Sequence, residues 1–259
     1  MTSTTITESK THSLNGKMSL AYSKGMRRNL KASLKFTLAR EGGYQCGRAD
    51  RGNWTGGKLG VGQLSGTKYG ISAMLLSEIR GEAVSAATMK ALTPDVFFDV
   101  ATSRFWNVLD CDALPDGVDL MLFDFGFNSG TERAVKQLQQ LLGMSMAAQD
   151  GEMGPATLTA LHEASTATIV SFLSKKYLEQ FQSWLDLPSG QVSMTSLIDA
   201  VGEQSARDNL IIYALASQQE AAYRSFRTFR TFGQGWLTRL TERVAEAHRL
   251  AQAADGALA

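Results

Sequence analysis

Two cysteines, Cys46 and Cys111, are all that 259 residues contain, and they stand far apart with no Cys-x-x-Cys and no Cys/His ligand spacing. That scarcity argues against a disulfide framework and a zinc site and leaves two free thiols. Histidine is equally sparse. His12, His162 and His248 are isolated from one another, which gives little material for histidine-based metal or triad chemistry. No run of 18 apolar residues occurs, and the first residues lack the apolar stretch of a cleavable signal peptide, so the chain is expected to be made and kept soluble. Nor is there an excess of charge: 26 Lys and Arg against 25 Asp and Glu leave +1, too little for a nucleic-acid-coating function.

The chain is rich in glycine, and the glycine is concentrated. Ten of the 24 glycines lie between Gly42 and Gly70, so this stretch calls for tight turns rather than regular packing. The basic residues are also uneven. Residues 1–40 carry eight of them and only one acid, Glu8, which suits either a solvated tail and helix face or contact with an anionic envelope surface. Residues 1–24, rich in Ser, Thr and Lys, read as a flexible leader.

From residue 25 onward the pattern is mainly α. Met26, Leu30, Leu34 and Leu38 recur at helical spacing up to Arg40, and Gly42-Gly43 reads as the C-cap, leaving Glu41 in the last turn. A small irregular β-hairpin region is expected between Tyr44 and Gly70. Helices follow over Ala73–Ile79, Ser85–Ala91, a segment from Thr93 and Pro94 to Val108, Asp119–Phe127, Glu132–Leu142, a short one from Pro155, and Thr166–Trp184. Leu187-Pro188-Ser189-Gly190 is the clearest break. A long helix over 207–224 comes next, then a three-residue Arg/Phe repeat from Arg224 to Phe232, read as helix packing with exposed arginines. A final amphipathic helix after Gly233-Gln234-Gly235 runs through Leu250, and an Ala-rich tail is expected to fray.

Glycoside hydrolysis usually needs one carboxylic acid and one carboxylate. Glu41 and Asp50 supply such a pair nine positions apart. Glu41, against an apolar stripe and near the negative end of a helix dipole, is suited to hold a proton. Asp50, in a polar turn, is suited to stay ionised, although a turn-forming Asp that bonds its own backbone fits there too. A hydroxyl such as Thr67 is placed to hold the attacking water.

At these residues the sequence resembles the phage-type N-acetylmuramidases of glycoside hydrolase family 108. Glu41-Gly42-Gly43-Tyr44 and Asp50 match the family hallmark, and Thr67-Lys68-Tyr69-Gly70-Ile71-Ser72 is similar to its closing part. The family sets its Thr about five positions after the Asp, whereas Thr67 lies seventeen after Asp50. An insertion intervenes, and Thr55 and Thr67 both stand as candidates, with motif context favouring Thr67. Asp150-Gly151-Glu152-Met153-Gly154-Pro155-Ala156-Thr157 and Phe232–Arg239 are similar to peptidoglycan-binding helical modules.

The resemblance implies a lysozyme-like α+β fold: a catalytic domain over 25–114, a helical module over 115–251 with an extra segment at about 174–206, and a tail over 252–259. It implies a muramidase cleaving the MurNAc-GlcNAc β-1,4 bond of peptidoglycan, with Glu41, Asp50 and Thr67 catalytic and no metal or cofactor. Tyr44, Trp54, Tyr69, Asp124 and Asn128 are the substrate-binding candidates. Trp54 is a candidate for sugar stacking, while Trp106 and Trp236 read as core. Asp124 and Asn128 share a helix face; beside a cleft-lining role, a buried structural role for Asp124 and a C-cap role for Asn128 stand equally open. A monomer is expected, with peptidoglycan strands as partner and no nucleic acid. It would be made in the bacterial cytoplasm and released to the periplasm. Two rivals remain: a thiol amidase using Cys46, and a wall-binding or virion protein without activity.

Overall fold

The computed structural model describes residues 28–184 and 206–255. The proposed leader, the Leu187–Gly190 break, most of the 174–206 segment and the last tail residues lie outside the described residues.

The chain opens on helix α1 (Leu30–Leu38), crosses the glycine-rich stretch through a 3₁₀ turn (Arg51–Asn53), and forms a two-stranded antiparallel hairpin, β1 (Thr67–Lys68) and β2 (Ile71–Ser72). Helices α2 (Ala73–Arg80), α3 (Ala86–Lys90) and α4 (Pro94–Ala101) follow, the last running into a π-helical turn, Thr102–Trp106. Then come α5 (Val118–Ser129), α6 (Thr131–Leu141), α7 (Pro155–Glu163), α8 (Thr166–Lys176), α9 (Leu178–Trp184), α10 (Ala206–Ser225) and α11 (Phe229–Asp255). The mainly α reading with one small hairpin holds among the described residues.

Helix α5 is the axis of the molecule. Its run Leu120-Met121-Leu122-Phe123-Asp124-Phe125 is fully buried, as a helix that is apolar all round must be. It packs against α1, the π turn, α6, α10 and α11. The buried face of α1 is Ser33, Leu34, Phe36 and Thr37, so two small hydroxyl residues, rather than a leucine stripe alone, let α1 approach α5 closely. Helices α10 and α11 form a hairpin, as the pairs Asn209 with His248 and Gln219 with Arg243 show.

Several local expectations are revised. Gly42 and Gly43 are not left-handed. Helix α1 ends instead at Leu38, with Ala39 as a right-handed C-cap and the Glu41 N–H donating to the Leu38 carbonyl at 3.2 Å. Thr93 starts α4 without a side-chain cap; Pro94 does hold the first position. The segment 166–184 is two helices, parted at Tyr177. Gly233-Gln234-Gly235 lies inside α11, which begins at Phe229 and stays helical to Asp255. The Arg/Phe repeat accordingly straddles the turn between α10 and α11. Trp106 is core, 1% exposed, with its indole N–H donating to Asp112 Oδ1 at 2.8 Å.

The Asp-Gly-x-x-Gly-Pro-x-Thr run has a physical role of its own. Buried Gln139 on α6 donates to Asp150 Oδ1 at 2.7 Å and to Thr157 Oγ1 at 3.0 Å, and it accepts from Gly151 N at 3.0 Å. The first and last members of the motif thus meet on one glutamine, which anchors the loop before α7 and satisfies an otherwise costly buried amide.

Candidate active site

Glu41 stands just beyond α1, its side chain 12% exposed. The tip of the hairpin faces it. Tyr69 and Gly70 both have positive φ, 53° and 72°, the pair of left-handed residues that a two-residue type I′ turn requires. The Tyr69 N–H donates to the Gly42 carbonyl at 3.0 Å, tying the tip to the chain leaving Glu41. A Cβ on Gly70 would stand 2.5 Å from the Phe127 ring and 2.7 Å from Glu41 Oε2. Only glycine allows this turn so near the carboxyl. Gly70→Ala is expected to cost about 1–2 kcal/mol of backbone strain and to lower turnover roughly 10²-fold by displacing Glu41. Thermal unfolding and a turnover assay check the two arms; loss of stability with full turnover would show that the hairpin does not place the acid.

The other Glu41 oxygen, Oε1, accepts from Arg239 Nη1 at 2.8 Å. Arg239 comes from α11 and spends its other two nitrogens on Asp124, Nη2 to Oδ1 at 2.6 Å and Nε to Oδ2 at 3.0 Å. Arg243, one turn on, reaches Asp124 Oδ2 at 2.7 Å, and Thr37 donates to Oδ1 at 2.8 Å. Burial pushes the Glu41 carboxyl above its ordinary range, Arg239 pulls it down, and nearby Asp124 pushes it up, with a net rise. For Asp124, burial alone would raise the carboxyl, but the Arg243 charge and the Arg239 bonds outweigh it, holding it well below the usual range. Two carboxyls sharing one guanidinium are thereby driven apart, one toward the neutral form and one firmly ionised.

A second network surrounds Asp50. Its Oδ1 accepts from Gly52 N at 2.9 Å and its Oδ2 from Gln45 Nε2 at 3.2 Å, so the turn-forming role is realised. Gln45 exchanges side-chain bonds with buried Asn53, whose Oδ1 also accepts from Thr67 Oγ1 at 2.7 Å. Asp50, Gln45, Asn53 and Thr67 therefore form one connected set, and Gln45 further pairs with Thr67 through the backbone. Thr55 sits elsewhere in the stretch: its hydroxyl accepts from Gln63 N at 2.9 Å and closes the inserted loop.

The remaining candidates divide. Asp124 is fully buried, with both oxygens held by Thr37, Arg239 and Arg243. It is a structural anchor that no substrate can touch. Asn128 donates to the Asp124 carbonyl at 2.8 Å and lines a groove beside Arg239. Tyr44 is half-buried, its hydroxyl donating to the Ser65 carbonyl at 3.2 Å, and Trp54 donates to the Arg48 carbonyl at 3.0 Å. Both brace the loop. Tyr69 is half-buried at the hairpin tip beside Gly70.

Residues 34–130 match the family described as glycosyl hydrolase 108. Over this segment the chain is similar to glycosyl hydrolase family 108. Among solved structures, that of Brucella abortus SagA is similar at 27% identity and a TM-score of 0.58, covering 86% of this chain and 95% of that one. No curated protein matches. The family 108 segment brings Glu41, Asp50 and Thr67 but stops short of Arg239 and Arg243. Sequence reasoning missed both arginines, along with Thr37, Gln45 and Asn53. An Arg pair at i, i+4 in an amphipathic helix was the available signal, since it puts two guanidinium groups on one face. Among the described residues no cluster of His, Cys, Asp or Glu could hold a metal.

Proposed function

We propose that this glycoside hydrolase cleaves the MurNAc-GlcNAc β-1,4 bond of peptidoglycan, with Glu41 as the general acid. The observation that carries the reading is the Glu41 carboxyl: nearly enclosed, raised in pKa, and aimed between the hairpin tip and Arg239. A group of that kind holds its proton to higher pH than an ordinary carboxyl and can donate it to a leaving glycosidic oxygen. Asp50, exposed in the polar loop, serves as base or electrostatic stabiliser. Thr67 positions the water. Its hydroxyl hydrogen is given to Asn53, so the oxygen is left to accept from a water O–H, and its link to Asp50 favours it over Thr55. Tyr69 and Asn128 flank the bound strand.

Glu41 lies in the catalytic part, 25–114, yet its cationic partner lies in the helical module, 115–251, so the two parts act as one catalytic unit. The thiol amidase reading has less support: the Cys46 thiol points to the Leu64 carbonyl at 3.8 Å, and His248 is engaged with Asn209. No helix among the described residues is long and apolar enough to cross a membrane. In this reading the protein is made in the cytoplasm and reaches the wall through a separate release step, such as a holin pore.

Mass spectrometry of digested Gram-negative sacculi tests the chemistry directly. Fragments ending in reducing muramic acid are expected. Anhydro ends would point to intramolecular attack by the sugar, and cleaved stem peptides to amidase chemistry; either outcome overturns the hydrolytic reading.

A further inference from the structure

The three-residue Arg/Phe repeat has no part in the Glu41 site. Residues 221–241 hold four arginines and no Asp or Glu. The repeat closes the hairpin between α10 and α11, with the Phe229 N–H donating to the Phe226 carbonyl at 2.9 Å. Its rings are seated one by one. Phe226 is half-buried against Trp236, with centroids 5.6 Å apart. Trp236 itself is half-buried at the edge of the core, a correction to the core position that its sequence context suggested. Phe229 lies on the Gly233 backbone, where a Cβ would stand 2.5 Å from its ring, so this glycine makes room inside α11. Phe232 stands 6.0 Å from Trp236 between centroids and is 56% exposed.

Guanidinium groups surround that ring layer. Arg133 of α6 lies over Phe226 at 5.1 Å and Arg224 over Phe229 at 5.5 Å. The nearby acids are already engaged, Glu220 with Arg224 at 2.7 Å and Glu132 with Lys136 at 2.5 Å. Arg227 and Arg230 are exposed, with no acidic partner among the described residues. The end of the hairpin thus carries uncompensated positive charge around one outward phenylalanine, which calls for an anionic partner. Its layout suits a lipid headgroup layer better than a nucleic acid. A single strand stacks successive bases on open aromatic faces along a groove that tracks its backbone. Here arginines cap Phe226 and Phe229, and a period of three carries the charges around a turn instead of along one line. At a membrane surface the same parts fit: guanidiniums pair with phosphates, their stems lie along apolar surface, and one exposed ring enters the boundary of the acyl chains.

We propose that the α10–α11 turn is a docking tip for anionic phospholipid, with Arg227 and Arg230 on headgroup phosphates and Phe232 as the inserted ring. Arg239, two turns beyond Phe232 on α11, also holds Glu41. Docking therefore sets the carboxyl site about 10 Å along the helix from the headgroups. The inference is independent of which bond the Glu41 site cleaves.

The test is co-sedimentation of the full chain with vesicles of phosphatidylethanolamine and phosphatidylglycerol, and with vesicles of phosphatidylcholine alone. Binding is expected on the first and not on the second, and it should weaken as salt is raised. Arg227→Gln together with Arg230→Gln should weaken it roughly 30-fold, and Phe232→Ala about tenfold. All three side chains are exposed, and circular dichroism checks that the helices are kept. Phe232→Trp should bind as wild type does, and its added fluorescence should be quenched by lipids brominated in the acyl chains. Lys10→Gln, Lys17→Gln and Lys24→Gln combined should leave binding in place. Failure to bind the anionic vesicles, equal binding to phosphatidylcholine, or an unquenched Phe232→Trp variant overturns the proposal. Binding that survives the tip substitutions and is lost in the triple lysine variant overturns it too, because the leader then makes the contact. Retention of single-stranded DNA through Arg227 and Arg230, without vesicle binding, makes the tip a nucleic-acid site and likewise overturns it.

Discussion

Glu41→Gln is expected to lower turnover on peptidoglycan by about 10²–10⁴-fold, the usual contribution of a positioned general acid. Glutamine keeps the shape and can still accept from Arg239, but it has no proton to give. Wild-type activity should decline as pH rises through the elevated Glu41 pKa, because only the protonated form is competent, and the residual activity of the variant should lose that limb. The stability effect has the opposite sense. A carboxyl raised in the folded state contributes stability that is complete below its unfolded pKa and lost as pH rises through the folded one. Above the folded pKa that contribution is gone, so there the variant should be no less stable than wild type. Reducing-end release and calorimetry at matched pH check both halves. A variant retaining more than about a tenth of wild-type turnover would remove Glu41 from the role.

Asp124→Ala is expected to cost about 3–5 kcal/mol, because it leaves Arg239 and Arg243 buried without their shared counter-charge. For a chain of this size that corresponds to roughly 6–20 °C in Tm. Asp124 is held well below the ordinary carboxylate range in the folded state. Its contribution is present above the unfolded pKa and disappears as pH falls through the folded one. The gap in Tm between wild type and Asp124→Ala should therefore be full at neutral pH and narrow only under strongly acidic conditions. Activity should fall as well. Freed from Asp124, Arg239 has only Glu41 to pair with, which lowers the Glu41 pKa and moves the alkaline limb of the rate profile to lower pH. A gap that is absent at neutral pH would show that the arginines find water or other partners at no cost.

How far the chain announced this arrangement depends on the reach of each interaction. Helices α2, α3, α6 and α7 were legible because their signals are local: apolar spacing, Pro155 at a first position, Gly130 before Thr131. The hairpin was legible from Tyr69-Gly70, whose left-handed pair is set by those two residues. Gly233 and Gly235 misled, since glycine weakens a helix in isolation, whereas packing of α11 along α10 keeps the segment helical. Glu41 was visible because its motif is contiguous. Arg239 was not, because its bond to Glu41 spans 198 positions and depends on where α11 crosses α5. Thr37 and Asn53 were hidden for a related reason: a small polar residue facing inward gives no periodic signal, and only the partner across the interface explains it. Asp124 and Asn128 were rightly placed on one helix, but the face that looked like a cleft wall turned out to be split, with the acid inside and the amide at the groove.

The long reach from Arg239 back to Glu41 also orders events in time. Synthesis delivers the guanidinium clamp 198 residues after the acid, so a chain still leaving the ribosome has the carboxyl without the setting that tunes it. Completion of the site is thereby tied to docking of α11, and a product cut between the two carries the signature motif without the clamp.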